Sequence, residues 1–150
     1  MEKPYLKSPG AWAKRLHLAS RSMMERILRP YDLGPTQWYV LYQLANNGPT
    51  PQRDFLSLLQ IEKPTLSEVV RALVRKGFIN QTSDTNDQRQ RLLTLTDTGR
   101  QLWGELPDPI AFMQEIAFQG FDKEMLEVAV EVLKTATERL NTYKFDGVEK

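Results

Sequence analysis

The chain has 150 residues, of which 41% are apolar and 26% charged, and this is the length and composition of one globular domain. It contains no cysteine and one histidine, which excludes disulfides, thiolate chemistry and multi-histidine metal sites. The sequence shows neither a membrane-spanning apolar run nor a secretory signal core, so a cytoplasmic protein is expected. It also lacks a phosphate-cradling glycine loop, and we expect no cofactor, no metal and no enzyme activity.

The net charge of +1 conceals an uneven distribution along the chain. Residues 1–50 carry seven Lys/Arg against three Asp/Glu, and residues 51–100 carry eight against six. Residues 101–150 reverse the sign, with five against ten. This split indicates an anionic partner at one end of the molecule, although random scatter of surface charges would produce a similar pattern.

Helical spacing of apolar residues dominates the first third of the chain. It predicts a helix over residues 11–29, which Pro30 ends. Gly34 and Pro35 have the residue types of an N-cap and a first helical position, and they predict a second helix over residues 36–46.

A third start signal is Thr50 followed by Pro51. It predicts a short helix that ends near Leu59 and buries Leu59 together with Phe55 and Leu58. A turn of three to four residues then leads to the next helix.

That helix is predicted from Pro64 to Lys76, with Gly77 as its stop. The apolar residues that it buries are Leu66, Val69, Val70 and Leu73. Thr65 and Glu68 have the spacing of a capping box, which is one interpretation of Glu68; contact with a DNA base is the other.

Beyond Gly77 the pattern has the period of strands. Phe78 and Ile79 begin one strand, and residues 92–95 form the returning strand. The polar stretch 82–91 between them is the tip of a β-hairpin, with basic side chains. Thr96 then caps another helix.

The last third is predicted to be helical with two breaks. Pro107 breaks the helix that Thr96 starts, and Asp108 with Pro109 restarts it; this break is either a hinge or a fixed kink. The final helix, 123–143, has a wide apolar surface and only a narrow polar stripe. A second subunit is the expected cover for this surface, and packing within the chain is the alternative.

Two helices joined by a tight turn and followed by a basic hairpin form a winged helix-turn-helix. The second helix of such a unit enters the major groove, with its first residues at the base edges. The candidate DNA contacts are Lys63, Pro64, Thr65, Ser67, Glu68, Arg71, Arg75, Arg89 and Arg91.

Residues 33–99 of this sequence resemble the MarR/SlyA family of bacterial transcription regulators. The family's wing pattern is Asp-Pro-x-Asp-Arg-Arg, and residues 84–89 have the sequence DTNDQR in the same register. The resemblance implies that Arg89 enters the minor groove and that Asp87 orients it. Two departures, Gln88 in the wing and Glu68 in the recognition helix, indicate a different operator preference.

A ligand site is a second expectation from the resemblance, because the family binds phenolic ligands between its dimer helices and its DNA-binding lobe. Aromatic residues on two neighbouring helices, with a basic residue, could enclose an aromatic carboxylate. The candidates are Trp12, Arg15, His17, Trp38, Tyr39 and Tyr42, and Trp103 could join them. Core packing is the alternative role of the aromatic residues.

The sequence therefore predicts a mainly α fold with a small β-hairpin wing. Residues 33–99 form the winged helix-turn-helix DNA-binding lobe, flanked by dimerisation helices in 1–30 and 100–150, within one domain, 1–150. The predicted function is that of a homodimeric, sequence-specific regulator of transcription, a repressor relieved by a small aromatic ligand. Its partners are a pseudopalindromic DNA duplex and a second copy of the chain. The alternative is a winged-helix protein-interaction adaptor that no longer binds DNA.

Overall fold

A computed structural model describes residues 3–83 and 90–146 of the chain. The helices within these ranges are α1 (Pro9–Leu28), α2 (Pro35–Asn47), α3 (Asp54–Leu59), α4 (Lys63–Arg75), α5 (Asp97–Glu105), α6 (Pro109–Phe118) and α7 (Lys123–Thr142). Two short 3-10 helices, Pro4–Lys7 and Arg29–Tyr31, flank α1. The strands are β1 (Thr50–Pro51), β2 (Ile79–Ser83) and β3 (Arg91–Leu95). The predicted fold class, mainly α with a small hairpin wing, is confirmed.

The local start signals account for most helix boundaries. Gly34 is extended at the N-cap of α2, and the Gln37 side-chain oxygen accepts a hydrogen bond from its backbone N–H at 3.3 Å. Thr96 Oγ1 accepts from the Gly99 N–H at 2.9 Å and caps α5. Each of these contacts satisfies a backbone N–H that the helix itself leaves unpaired.

The prediction that a helix starts at Thr50 and Pro51 is wrong, because these two residues form β1. Thr50 pairs with Leu93 of β3, and the three strands form one antiparallel sheet in the order β1-β3-β2. Proline fits this edge strand, since its missing N–H is not needed there. α3 starts only at Asp54, and Leu58, expected in the core, is 53% exposed.

The capping-box interpretation of Thr65 and Glu68 is also wrong. The N-cap of α4 is Glu62, whose carbonyl accepts from the Leu66 N–H at 3.0 Å. Thr65 therefore lies inside the first turn, because the helix begins at Lys63 and accommodates Pro64 where no N–H is required. Glu68 is free of this capping role and lies on the exposed surface of the helix.

The buried core lies in residues 24–95 and joins α1, α2, α3, α4 and the sheet. Its most buried large side chains include Leu28, Trp38, Leu41, Phe55, Leu66, Val70, Leu73, Ile79 and Leu93. From α4 it takes the stripe that the spacing predicted, while Val69 is half-buried. This packing leaves the opposite face of α4 at the surface.

The chain forms two compact units, one up to Ile110 and one from Ala111 onward. The predicted break is present, because α5 ends at Glu105 and α6 starts at Pro109. In the second unit α7 has no buried residue. Its most exposed large apolar side chains are Met125, Val128, Val130, Val132 and Leu140. None of the helices in the described ranges is both long and apolar enough to cross a membrane.

Candidate nucleic-acid interface

The outer face of α4 presents most of the residues that the sequence singled out. Lys63, Pro64, Thr65, Glu68, Arg71 and Arg75 are exposed, and Ser67 is half-buried at the edge of the face. The face lies opposite the buried stripe, so nothing in the described chain covers it. DNA contact by these residues stays a prediction.

The two arginines of α4 lie beside the wing. Together with Ser67, Val74 and Gln81 of β2, Arg71 and Arg75 line a groove of about 420 Å³ between the helix and the sheet. Gln81 Nε2 donates to Gln52 Oε1 at 2.6 Å and closes the far side of the groove. The groove therefore carries two guanidinium groups and two amides, which are side chains that bind phosphate oxygens.

The base of the wing adds a cation that sequence reasoning missed. With its amide oxygen toward Arg53, Gln90 accepts from both guanidinium nitrogens, Nη1 at 2.6 Å and Nη2 at 2.9 Å. Arg91, predicted in the hairpin tip, is instead the first residue of β3, and it is exposed. The tip itself, with Asp87 and Arg89, lies outside the described residues. Arg53 is absent from the predicted contacts because the sequence predicts it inside a short helix, whereas it lies in the turn between β1 and α3.

A second feature of the first unit is a cluster of aromatic rings. The Trp38 ring lies 5.2 Å from Tyr39, 5.2 Å from Tyr42 and 5.5 Å from Trp103, between centroids. Trp38, Tyr42 and Trp103 line a pocket of about 210 Å³ together with Pro107. Trp38 is 2% exposed, and its buried Nε1 finds no hydrogen-bond acceptor among the described residues. Burial raises the pKa of the Tyr39 hydroxyl, opposed by the charge of Arg21.

The structure divides the six predicted ligand residues into two groups. Trp38 and Tyr42 line the pocket, and Tyr39 stacks edge-on against Trp38. Trp12, Arg15 and His17 lie at exposed positions of α1 and are not in the lining of the pocket. The Arg15 guanidinium lies 5.7 Å from the Trp12 ring centroid, and the Trp12 indole donates to the Leu6 carbonyl.

Two short-linked helices, α3 and α4, beside a three-stranded sheet, with an exposed face of α4 that carries Lys63, Arg71 and Arg75, define a winged-helix protein. A sequence model of the MarR family matches residues 33–90. The chain is also 32% identical over 100 residues to an HTH-type transcriptional regulator of Bacillus subtilis, YwoH, covering 65% of this chain and 72% of that protein. The chain therefore belongs to the MarR family of transcriptional regulators, which are not enzymes.

Solved structures of this family share the fold. A MarR-family regulator of Listeria monocytogenes complexed with a 26mer DNA has a TM-score of 0.76 at 21% identity, covering 97% of this chain and 99% of that one. The regulator PcaV of Streptomyces coelicolor, in complex with its natural ligand, has a TM-score of 0.74 at 23% identity, covering 92% and 97%.

Proposed function

We propose that the protein is a homodimeric repressor that binds a pseudopalindromic DNA operator and is released by a small aromatic ligand. In this proposal residues 33–99 contact DNA in the cytoplasm, and 1–30 with 100–150 hold the dimer together. The observation that carries the proposal is the groove between α4 and β2. It places Arg71 and Arg75 beside the wing and leaves the outer face of α4 uncovered.

In this proposal, some side chains of α4 contact the phosphate backbone and others contact the base edges. Arg71 and Arg75 lie on the wing side, where the phosphate backbone passes when α4 occupies the major groove. Pro64, Thr65 and Glu68 lie toward the start and centre of the outer face, where side chains meet base edges. Glu68 then accepts a hydrogen bond from cytosine N4, which is the main contact open to a carboxylate among bases.

The exposed apolar surfaces of two helices support the proposal of a dimer. α1 exposes Trp12, Leu16 and Leu18 at 43–56%, and α7 exposes five large apolar side chains above 50%. Exposed apolar surface of this extent marks an interaction site in a globular protein. A two-fold dimer would cover both helices and present two copies of α4 to half-sites about 10 base pairs apart.

The aromatic pocket supports the proposal that a small ligand controls DNA binding. Its rings suit a planar aromatic molecule, because Trp38, Tyr42 and Trp103 line the space together. Pro107, which lies at the break between α5 and α6, also lines the pocket. A ligand there would contact the candidate hinge, and a coupling of about 1–3 kcal/mol between ligand and DNA would follow from its preference for one state.

The first prediction separates the two kinds of DNA contact. We expect Arg71→Ala and Arg75→Ala each to lower the salt dependence of DNA affinity by about one phosphate contact while leaving the ratio of specific to random binding unchanged. Glu68→Gln is expected to raise affinity for random DNA and to change the preferred base. The measurement is fluorescence anisotropy at two salt concentrations, with duplexes selected by the wild type from a random pool.

Three outcomes would contradict this proposal. A loss of base preference in Arg71→Ala would make that residue a base contact, and unchanged affinity in both arginine variants would remove the groove from the interface. Salt-insensitive or absent binding by the wild type would favour the protein-interaction adaptor. Arg100→Ala is the control, because Arg100 is an exposed arginine of α5 and is not in the lining of the groove.

The second prediction concerns the pocket. Trp38→Phe removes part of the indole surface that lines the pocket, so we expect benzoate to bind up to about tenfold more weakly, the range of one aromatic contact. Trp12→Phe is the matched control and should bind benzoate like the wild type. Isothermal titration calorimetry measures both. Equal losses in the two variants, or a loss only in Trp12→Phe, would move the ligand site to α1.

A further inference from the structure

A single ammonium group joins the end of the recognition helix to the corner between α1 and α2. Lys76 is the C-cap residue of α4, and its Nζ donates to Gln37 Oε1 at 3.1 Å and to the Asp32 backbone carbonyl. The Asp32 carboxylate lies 3.6 Å from the same nitrogen. The Lys76 side chain is only 20% exposed, whereas the Asp32 side chain beside it is open to water.

The acceptors lie in the connection between α1 and α2 and in the first turn of α2. Asp32 has a left-handed backbone, with φ of 56°, and ends the connection that follows α1. Gln37 lies in the first turn of α2, and its side-chain oxygen also accepts from the Gly34 N–H. Lys76 thus holds together the end of α1, the start of α2 and the end of α4.

This corner is polar where the rest of the α4 packing is apolar. A pocket of about 360 Å³ opens beside Lys76, and Glu25 and Arg29 are among its lining residues. Along the remainder of α4, Leu66, Val70 and Leu73 provide the packing. The buried side chains of α4 set the angle at which it crosses the core, because close-packed side chains interdigitate. The hydrogen bonds of Lys76 add directional contacts at the C-terminal end of α4, so their loss would allow this end to tilt.

A small tilt at this end becomes a large displacement at the other. α4 has 13 residues. A helix of this length is about 20 Å long, so a tilt of about 5° about Lys76 moves the first turn by about 2 Å. The first turn holds the residues proposed to contact bases. Its displacement is comparable with the rise of one base pair.

We infer that Lys76 is a positioning residue that fixes the tilt of α4 against the α1–α2 corner and so sets the half-site spacing that the dimer accepts. The inference rests on the proposed function, because spacing has meaning only for a dimer on DNA. The two neutral acceptors carry the effect. The Asp32 carboxylate contributes little, since it is 94% exposed and water screens the charges of an exposed ion pair.

The test compares spacing preference among full-length variants. Duplexes carry the half-sites that the wild type selects, separated by about 9, 10, 11 or 12 base pairs, and each affinity is measured by anisotropy. For Lys76→Met we expect the ratio between the best and the neighbouring spacing to fall by about fivefold or more, equal to about 1 kcal/mol. Lys76→Arg, which keeps a cationic donor, should restore most of the ratio, and Asp32→Asn should keep the wild-type ratio.

The outcomes are separable from those of a general structural defect. Affinity for a single half-site and the thermal unfolding midpoint are recorded for every variant, and a structural defect would lower affinity at all spacings alike. If Lys76→Met does not fold, Gln37→Leu removes one acceptor and takes its place. A wild-type spacing profile in the folded variant would overturn the inference while leaving the proposed function intact. Failure of the wild type to bind any duplex would overturn both.

Discussion

Replacing Gly99 with alanine is expected to lower the free energy of unfolding by about 3–5 kcal/mol, the range of severe core defects. Gly99 is buried in the first turn of α5. A Cβ there would lie 2.0 Å from the Phe78 carbonyl oxygen, 2.9 Å from its carbonyl carbon and 3.2 Å from the Leu95 side chain. The backbone would have to move, because no rotation of a side chain relieves a contact with a carbonyl.

The Phe78 backbone has little freedom to retreat. Its carbonyl accepts from the Thr96 N–H at 3.1 Å, and its N–H donates to the Leu73 carbonyl at 3.0 Å. A shift of Phe78 would therefore disturb the end of α4 on one side and the start of α5 on the other. We expect the folded fraction of Gly99→Ala to bind DNA more weakly as well.

Gly104→Ala provides the matched control for this substitution. Gly104 lies in the same helix and is exposed, and outside its own helix backbone no atom of the described residues lies within 4 Å of the position of an added Cβ. Alanine in a helix interior is favoured over glycine by about 0.5–1 kcal/mol, so this variant should be slightly more stable than the wild type. Urea unfolding at one protein concentration measures both, since the stability of a dimer depends on concentration. A loss below about 1 kcal/mol in Gly99→Ala would show that the α4–α5 connection relaxes easily.

The sequence was sufficient for those parts of the fold that local chemistry decides. Helix boundaries are set by residues only a few positions away, so residue type alone predicts them. Examples are the boundaries at Gly34 and Pro35, at Thr96 and at Pro107. The buried stripe of α4 followed from helical spacing alone. These signals need no knowledge of the remainder of the chain.

The wrong predictions concern residues whose structure depends on partners that are far away in the sequence. Thr50 forms a strand because β3, more than 40 positions away, offers it a partner at Leu93. Leu58 has the spacing of a core residue but is exposed, because α3 is only six residues long and is anchored by Phe55. A pattern of residue types carries no information about such partners, and tertiary pairing overrides the local preference.

The sequence identifies the residue types at the two candidate sites, but the way these residues are grouped depends on the fold. The face of α4 followed from its periodicity, but its division into a wing side and a base side required the position of Gln81 on β2. For the pocket, the sequence points to the aromatic residues but does not show which of them lie together. Trp103 and Pro107 join Trp38 only through the packing of α5 against α2, whereas Trp12 and Arg15 share a helix and pair with each other.

The other large effect is expected at α7. Leu140 is 80% exposed, so Leu140→Glu should leave the fold of the chain intact. If α7 lies in the interface of a two-fold dimer, the substitution would bury two carboxylates there. Burial of each carboxylate without a partner costs several kcal/mol. We expect the dimer dissociation constant to rise at least about 100-fold, equal to about 2.7 kcal/mol, measured by sedimentation equilibrium.

Asn141→Glu tests whether the position of the charge, and not its sign, causes this effect. It adds the same carboxylate one residue away, on the polar stripe of α7, and should leave the dimer unchanged. Because two α4 helices must bind together, Leu140→Glu should also lose most of its affinity for the full operator while retaining the weak affinity for one half-site. A dimeric Leu140→Glu would mean that another surface joins the subunits. Dissociation by both variants would point instead to repulsion between acidic residues, which residues 101–150 carry in excess, ten against five basic residues.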